Sequence, residues 1–371
     1  MSEAPLPPPV GSEAEALARL CLARTEGIGP VGFRRLLARE GSAAAALERI
    51  ARQPSWGGRD LAPPSLRQAA EERAALGRLG GRLLFLGDQD YPPRLAQLPD
   101  APPVLSVLGD AAALAAPQVG LVGARAASAA ARRLAEDIAE DLAEAGLVVT
   151  SGLARGVDAA AHLGALRTGR TIAVVPGGLD RPYPPEHAAL QARIAGKGAV
   201  VAEAPLGAAP LDRHFPRRNR ILAGLVVAVV VIEAAERSGT LITAREAADL
   251  GREVYAVPGH PVDPRSAGGN ALIKQGAPLV ESAADILDLL PPSLLPRPAP
   301  IAPPARPASA AAPVDQKEIL DLIGETPIAV DDLAARCHLP AADLQVVLAD
   351  LELAGQVALL PGQRVVRTGS G

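Results

Sequence analysis

Between about residue 119 and residue 257, short apolar runs alternate with longer stretches of helical character. The runs are Val119-Gly120-Leu121-Val122, Leu147-Val148-Val149-Thr150, Thr171-Ile172-Ala173-Val174-Val175, Ala199-Val200-Val201, Leu225 to Ile232 and Val254-Tyr255-Ala256-Val257. Between them lie Ser128 to Ala145, a segment through Asp158 and His162, Pro185 to Ala195, a stretch beginning near Pro216, and Leu241 to Leu250. Strands that are apolar throughout, rather than at every second residue, are buried on both faces. Strands that alternate with helices build a parallel sheet with right-handed crossovers. The expected fold is therefore α/β, a doubly wound, Rossmann-like parallel sheet. Aromatic residues make up only 2% of the chain, so Leu, Val, Ile and Ala must fill its core.

A chain of 371 residues is long enough for two or three domains. Residues 10–80 are rich in Ala, Leu and Arg and read as a small helical domain of the SAM or helix-hairpin-helix kind. Helices are expected at Glu13 to Arg24 and Val31 to Arg39, around Thr25-Glu26-Gly27-Ile28-Gly29-Pro30. Such a Gly-x-Gly turn can offer backbone N–H groups to phosphate. It can equally be a helix C-cap followed by a Pro that starts the next helix. Residues 82–290 carry the α/β domain. Residues 291–313 are dominated by Pro and Ala and read as a semi-rigid linker. Residues 314–371 read as a winged helix, with helices at Gln316 to Ile323, Val330 to Cys337 and Ala341 to Ala354 and a hairpin around Pro361-Gly362. The third helix holds Asp343, Asp350 and Glu352 and no basic residue. That composition argues against ordinary major-groove reading and leaves a protein-contact role open.

The formal net charge is −4 and the pI about 5.8. A nucleic-acid binder of this composition must concentrate its arginines locally. The two cysteines, Cys21 and Cys337, offer neither a disulfide framework nor metal-ligand spacing, which fits a reducing, cytoplasmic setting. The Pro-rich start lacks the pattern of a signal peptide. The longest apolar run, Ile221 to Ile232, is too short to span a bilayer.

In an open α/β sheet, ligands bind beyond the carboxyl ends of the strands. The first such end carries Gly123, Arg125 and Ser128; the turn suits Gly, Ser128 suits a helix N-cap, and a guanidinium suits phosphate. The full G-x-G-x-x-G fingerprint of a dinucleotide site is missing. The second end, Thr150 to Asp158, holds Ser151, Gly152, Arg155 and Gly156, a candidate anion nest. Asp158 and His162, four residues apart, share a helix face and are expected to hydrogen-bond each other. The third end, Pro176 to Pro184, holds Arg181 and Tyr183, which either contact nucleic acid or pack a tight loop. The fourth, Asp212 to Arg220, is the densest basic cluster, with Phe215, Arg217, Arg218, Asn219 and Arg220. Cations at a helix start oppose the helix dipole, so an anionic ligand is expected to complete the site, unless internal ion pairs absorb some of them. Ser238, Gly239 and Thr240 form the fifth end and Val257-Pro258-Gly259-His260-Pro261 the sixth. Several anion-ready loops on one edge suit a polymer of phosphates better than a single nucleotide.

In this order and spacing the segments resemble the DprA/Smf family of bacterial DNA-processing proteins. The resemblance spans Tyr91-Pro92 to Ala277. It rests on Val122-Gly123-Ala124-Arg125, Ser151-Gly152-Leu153-Ala154-Arg155-Gly156-Val157-Asp158, Tyr183-Pro184, Phe215-Pro216-Arg217-Arg218-Asn219-Arg220, Ser238-Gly239-Thr240, Val257-Pro258-Gly259 and Asn270-Ala271-Leu272-Ile273-Lys274-Gln275-Gly276-Ala277. It implies a protein that binds and shields incoming single-stranded DNA during natural transformation and loads the RecA recombinase onto it, working with or against single-strand-binding protein. It implies no catalysis, no cofactor and no metal, and a homodimer formed through Ile273 and Leu279. Two positions depart from the family pattern. His187 stands where Tyr-Pro-x-x-Asn is expected, and is still able to donate to phosphate. Ala202 precedes Glu203 where Ser is usual. The DNA-binding set expected from sequence is Gly123, Arg125, Gly152, Arg155, Arg181, Tyr183, His187, Phe215, Arg217, Arg218, Asn219, Arg220, Ser238 and Gly239. Two rival readings are a nucleotide-phosphate hydrolase using Glu203, Asp158 and His162 as acid–base groups, and an interaction adaptor in which the winged helix does the main work.

Overall fold

The computed structural model describes residues 5–56, 58–295, 316–337 and 341–368. It contains two compact units, Met1–Arg297 and Pro298–Gly371. The first unit opens with helices α1 (Glu13–Arg24), α2 (Pro30–Glu40), α3 (Ala43–Arg52) and α4 (Leu66–Arg78). Ser12, Ser42 and Ser65 cap α1, α3 and α4, each accepting a backbone N–H three residues on; such a cap stabilises a helix by about 1 kcal/mol. Leu22, Ile28, Phe33, Leu36 and Ile50 form the core of this bundle. Leu20, Cys21 and Ala69 join it to the sheet by packing on Phe85 and Val104.

The sheet has eight strands: β1 (Gly81–Phe85), β2 (Val104–Gly109), β3 (Gln118–Val122), β4 (Val148–Ser151), β5 (Thr171–Val174), β6 (Ala199–Ala202), β7 (Ala228–Val231) and β8 (Glu253–Ala256). Their spatial order is β8-β7-β3-β4-β5-β6-β2-β1. Strands β3 to β8 are parallel, as their apolar runs require. Strands β1 and β2 extend the β6 edge in antiparallel sense, an addition that the strand–helix alternation beginning at residue 119 does not contain.

The connecting helices are α5 (Ala129–Glu144), α6 (Val157–Thr168), α7 (Ala188–Lys197), α8 (His214–Leu225), α9 (Gly239–Asp249), α10 (Ala267–Lys274) and α11 (Ala283–Leu289). Val119 and Leu121 point to the α5–α6 face and Val122 to the face of α8. Gly120 lets Leu222 of α8 and Val226, just past its end, approach that second face closely. The apolar run Ile221 to Ile232 divides differently from the expected strand at Leu225. Helix α8 continues to Leu225 and β7 begins at Ala228. Ile221, Leu222 and Leu225 have helical spacing and bury on the sheet as a helix face, a choice that periodicity in a short apolar run does not decide.

From β3 the chain winds outward through β4, β5 and β6. It then returns by α8 to β7 on the other side of β3. The strand order therefore reverses between β3 and β7, where a crevice opens at the carboxyl ends of the strands.

The expected Asp158–His162 hydrogen bond is replaced by two separate arrangements. His162, fully buried, meets Thr171 Oγ1 through Nδ1 at 2.7 Å. The single hydroxyl proton of Thr171 goes to the carbonyl of Val149. His162 must then donate from Nδ1, and its buried Nε2 has no partner. Burial foremost, with the positive fields of His187 and Arg218, pushes its pKa down to about 3. Asp158 instead accepts the N–H of Ala154.

The second unit contains α12 (Gln316–Leu322), β9 (Ile328–Ala329), α13 (Val330–Cys337), α14 (Ala341–Leu353), β10 (Val357–Leu360) and β11 (Arg364–Arg367). Its strands pair antiparallel in the order β9-β11-β10 over a core of Ile319, Leu333, Leu344, Leu348 and Val365. This is the winged helix expected from sequence. From residue 296 the Pro/Ala-rich linker lies outside the described residues. Among the described residues no helix is long and apolar enough to cross a membrane.

The state of His162 has a consequence for stability. Its folded-state pKa is depressed, so between about pH 6.5 and 3 the unfolded chain binds a proton that the folded one excludes. The folded form loses stability as pH falls through that window. In urea titrations, His162→Asn is expected to flatten the fall in midpoint between about pH 6.5 and 5; a slope equal to that of the parent would contradict the assignment.

Candidate nucleic-acid interface

The loop after β3 is fixed by its neighbour across the switch point. Glu233, at the end of β7, accepts the N–H of Ser128 on its carboxylate, and its carbonyl accepts the N–H of Ala124. Thr240, on α9, donates its hydroxyl to the carbonyl of Gly123. Ser128 accepts the N–H of Ala131 and so starts α5 as expected. Gly123 is required because a Cβ there would run into Val157. Gly156, at φ +76°, brings the next loop against the carbonyl of Ala124. Sequence reasoning passed over Glu233, since a buried acid is recognised only from the N–H groups folded around it.

These contacts hold open a cleft of about 400 Å³ between the starts of α8 and α9, bordered by Arg125, Asp158, Phe215, Arg218, Asn219 and Ser238. The Phe215 ring stands at its mouth. Arg125 lies over that ring with its guanidinium carbon 5.0 Å from the centroid, and Tyr183 meets the ring edge-on at 5.9 Å. Tyr183 and Phe215, with Gly152 and Arg155, line a small hollow beside the cleft. Two weak quadrupole contacts of this kind orient a ring without covering it.

The arginines expected at this edge divide into three groups. Arg125 and Arg217 are exposed and, among the described residues, engaged in no ion pair. Arg155 is exposed but paired with Glu186, and Arg181 lies 3.9 Å from Asp180. Arg218 and Arg220 are turned inward. Arg220 pairs with Glu203 at 2.9 Å and with Asp100, and also donates to the Asp100 carbonyl, leaving 15% of its side chain exposed. It therefore belongs to the packing between α8 and the β2 side of the sheet, a correction to the DNA-contacting set. The same pair occupies Glu203, which removes it as a free acid–base group. Arg218 is buried, donates Nη1 to the carbonyl of Val174 at 3.1 Å, and leaves Nε without a partner. Burial lowers its pKa against the opposing pull of Asp158, and burial raises that of Asp158 against the pull of Arg218. A Cβ at Gly152 would collide with this guanidinium. Asn219 is half-buried in the cleft wall, Gly239 is the exposed first residue of α9, and Ser238 precedes it with a buried Oγ that caps nothing. Arg237, next to them and outside the expected set, is exposed and, among the described residues, engaged in no ion pair.

The family model for DNA recombination-mediator protein A matches residues 82–291. Models for a DprA-like N-terminal HHH domain and a DprA winged helix domain match residues 13–75 and 303–363. The chain belongs to the DprA/Smf family. It is 43% identical over 280 residues to protein Smf of Escherichia coli, covering 73% of this chain and 74% of that one. It is 45% identical over 201 residues to DNA processing protein DprA of Streptococcus pneumoniae, covering 54% and 71%. The crystal structure of the pneumococcal DprA aligns with a TM-score of 0.65 at 32% identity, over 76% of this chain and 99% of the other. A Helicobacter pylori DprA structure, described for its mode of binding single-stranded DNA, aligns with a TM-score of 0.51 at 28% identity, over 56% and 94%.

Where the DprA/Smf pattern has Asn, His187 brings Nδ1 to 2.9 Å from the carbonyl of Leu153. That ring nitrogen holds the second loop and is not free for phosphate. Leu153 itself is at φ +58°, a conformation that non-glycine residues seldom adopt.

The packing of Arg218 against Gly152 gives a test of the site's internal architecture. Gly152→Ala should destabilise the parent because the buried guanidinium has nowhere to retreat. In an Arg218→Ala background the same change should cost much less. The expected coupling in a double-mutant cycle of urea unfolding is roughly 1–3 kcal/mol; additive effects would show that the two residues do not depend on each other.

Proposed function

We propose that this DprA/Smf protein binds single-stranded DNA across the β3–β7 switch point and hands it to a recombinase. The observation that carries the reading is the exposed guanidinium of Arg125 over the Phe215 ring at a cleft, with Arg217 exposed two residues further along α8 and neither arginine in an ion pair among the described residues. Guanidinium suits phosphate, an aromatic ring suits a base face, and a single ring contacts few bases. Recognition is then of backbone and stacking, largely indifferent to sequence. The Helicobacter relative, described for binding single-stranded DNA, supports the choice of ligand. The remaining expected contacts, Gly123, Gly152, Arg155, Arg181, Tyr183, His187, Asn219, Ser238 and Gly239, surround this centre or support its loops.

RecA loading, cooperation or competition with single-strand-binding protein, a cytoplasmic location and the absence of catalytic chemistry follow from the family resemblance. The domain limits proposed are 10–80, 82–290, 291–313 and 314–371. A homodimer through Ile273 and Leu279 suits the edge of the sheet. Leu279 is 48% exposed and sits in the segment that bridges β8 at Ala256, and Ile273 is half-buried on α10. Two protomers in a dimer would present two clefts to one strand.

Replacing Arg125 and Arg217 together by Ala should weaken oligothymidylate binding and lower the salt slope by about 0.7 per arginine removed. Arg220→Ala should instead lower the unfolding midpoint and leave the salt slope of the folded protein unchanged. Fluorescence anisotropy across a salt series reads both. Full affinity and slope in the Arg125/Arg217 double variant would end this assignment.

A further inference from the structure

A second groove begins where the cleft ends. Arg125 borders the switch-point cleft and also a groove of about 490 Å³ between α5 and α6. Ala159, Ala160 and Leu163 line the α6 side of this groove, and Arg132 and Glu136 line the α5 side. Arg132 and Glu136 in turn border a further hollow of about 420 Å³ with Arg133, Asp137 and Arg167. The two hollows and the cleft thus form a continuous series of depressions, linked by shared arginines.

The charges along this series are not balanced. Glu186 is held by Arg155, and Glu136 and Glu140 are held by Arg167. Arg132 and Arg133 are exposed and, among the described residues, engaged in no ion pair. They stand in the first two turns of α5, where the helix dipole already presents positive charge. Two free cations there raise the local potential instead of cancelling it. The stability of α5 does not call for them, since Ser128 already caps the helix. Asp137 is the exposed carboxylate on this path that no arginine engages.

We infer that a bound single strand leaves the switch-point cleft at Arg125 and runs along the α5–α6 groove to Arg132 and Arg133, which form a second phosphate-binding site. This rests on the reading of the cleft as a single-strand site and gives that site a direction and an extent. The groove floor is small and apolar, with no aromatic ring, so it fits sugar and backbone without selecting bases. The cleft holds the strand by stacking and charge, the groove by charge alone.

The test uses the full-length protein and two oligothymidylates, roughly 5 and roughly 20 nucleotides long, the shorter able to fill the cleft without reaching the groove. Arg132→Ala with Arg133→Ala should weaken binding of the long strand on the order of tenfold at low salt and lower its salt slope by about 1.4. Binding of the short strand should not change. Asp137→Asn, which disturbs no contact of the fold, should tighten the long strand alone. Equal effects on both lengths, or no effect on the long strand from either variant, would overturn the second site. The parent cleft is checked in the same series with Arg125→Ala and Arg217→Ala. If those leave the short strand bound as before, the reading of the cleft itself has failed. If they abolish short-strand binding while the Arg132/Arg133 variant leaves long-strand binding intact, only the second site has failed.

Discussion

Arg218 of α8 reaches under the cleft, donates to the end of β5 at Val174 and fills the space that Gly152 leaves open at the end of β4. One side chain thereby ties the helix that returns across the sheet to two strands on the far side of the switch point. The field of Asp158 at the start of α6 opposes part of the cost of burying this charge, without a direct ion pair among the described residues. A guanidinium this deeply buried is tolerated only when opposite charge and hydrogen bonds surround it. The two partners therefore bracket one loop: Gly152 begins the loop between β4 and α6, which also carries Leu153 and Arg155, and Asp158 lies in the first turn of α6 that follows it. The cleft has its shape because these loops are arranged around a buried cation.

That arrangement explains how an acidic protein can present a basic edge. In the cluster Arg217-Arg218-Asn219-Arg220, consecutive residues on a helix point about 100° apart, so they cannot share one environment. Arg218 faces the sheet, Arg220 faces Glu203 and Asp100, and Arg217 faces solvent. The inward pair fixes the helix, and the outward residue is left free for a ligand. Arg125 comes from another strand end and lies over the ring of Phe215 from the same helix. Under the proposed reading, a phosphate at Arg125 meets a guanidinium already oriented by the ring beneath it, with less freedom to lose on binding.

Much of the sheet was legible in the sequence, since strands apolar on both faces leave few other solutions. The cleft's location followed from strand ends alone, and Ser128, Gly123, Arg125 and Phe215 all border it or shape it. What was not legible depended on partners distant in the chain. Nothing near Arg220 announces Asp100 or Glu203, which are brought to it by β2, β6 and α8. The Asp158–His162 spacing suggested a pair, but Thr171, on the neighbouring strand, offered His162 a hydroxyl and Arg218 gave Asp158 a counter-charge. Strands β1 and β2 were missed because they run antiparallel at an edge, outside the strand–helix rhythm that identified the others. In each case local pattern predicted a local partner and tertiary packing supplied a better one.

The two units expose opposite kinds of charge. Helix α14 occupies the position in which a winged helix reads duplex DNA, yet it carries Asp343, Asp350 and Glu352 with Val346 and Leu353 exposed. Laid into a major groove, those carboxylates would face phosphates and repel them, and the leucine would gain nothing from a polar groove floor. The cation-bearing edge of the first unit has the opposite character: exposed arginines, an aromatic ring beside Arg125, and Glu186, Glu136, Glu140 and Glu203 already held in ion pairs. Of the two units, the first exposes the charge that the proposed single-strand binding needs. An apolar, acid-flanked helix favours contact with protein, and the acidic pI of the chain reflects this division of charge.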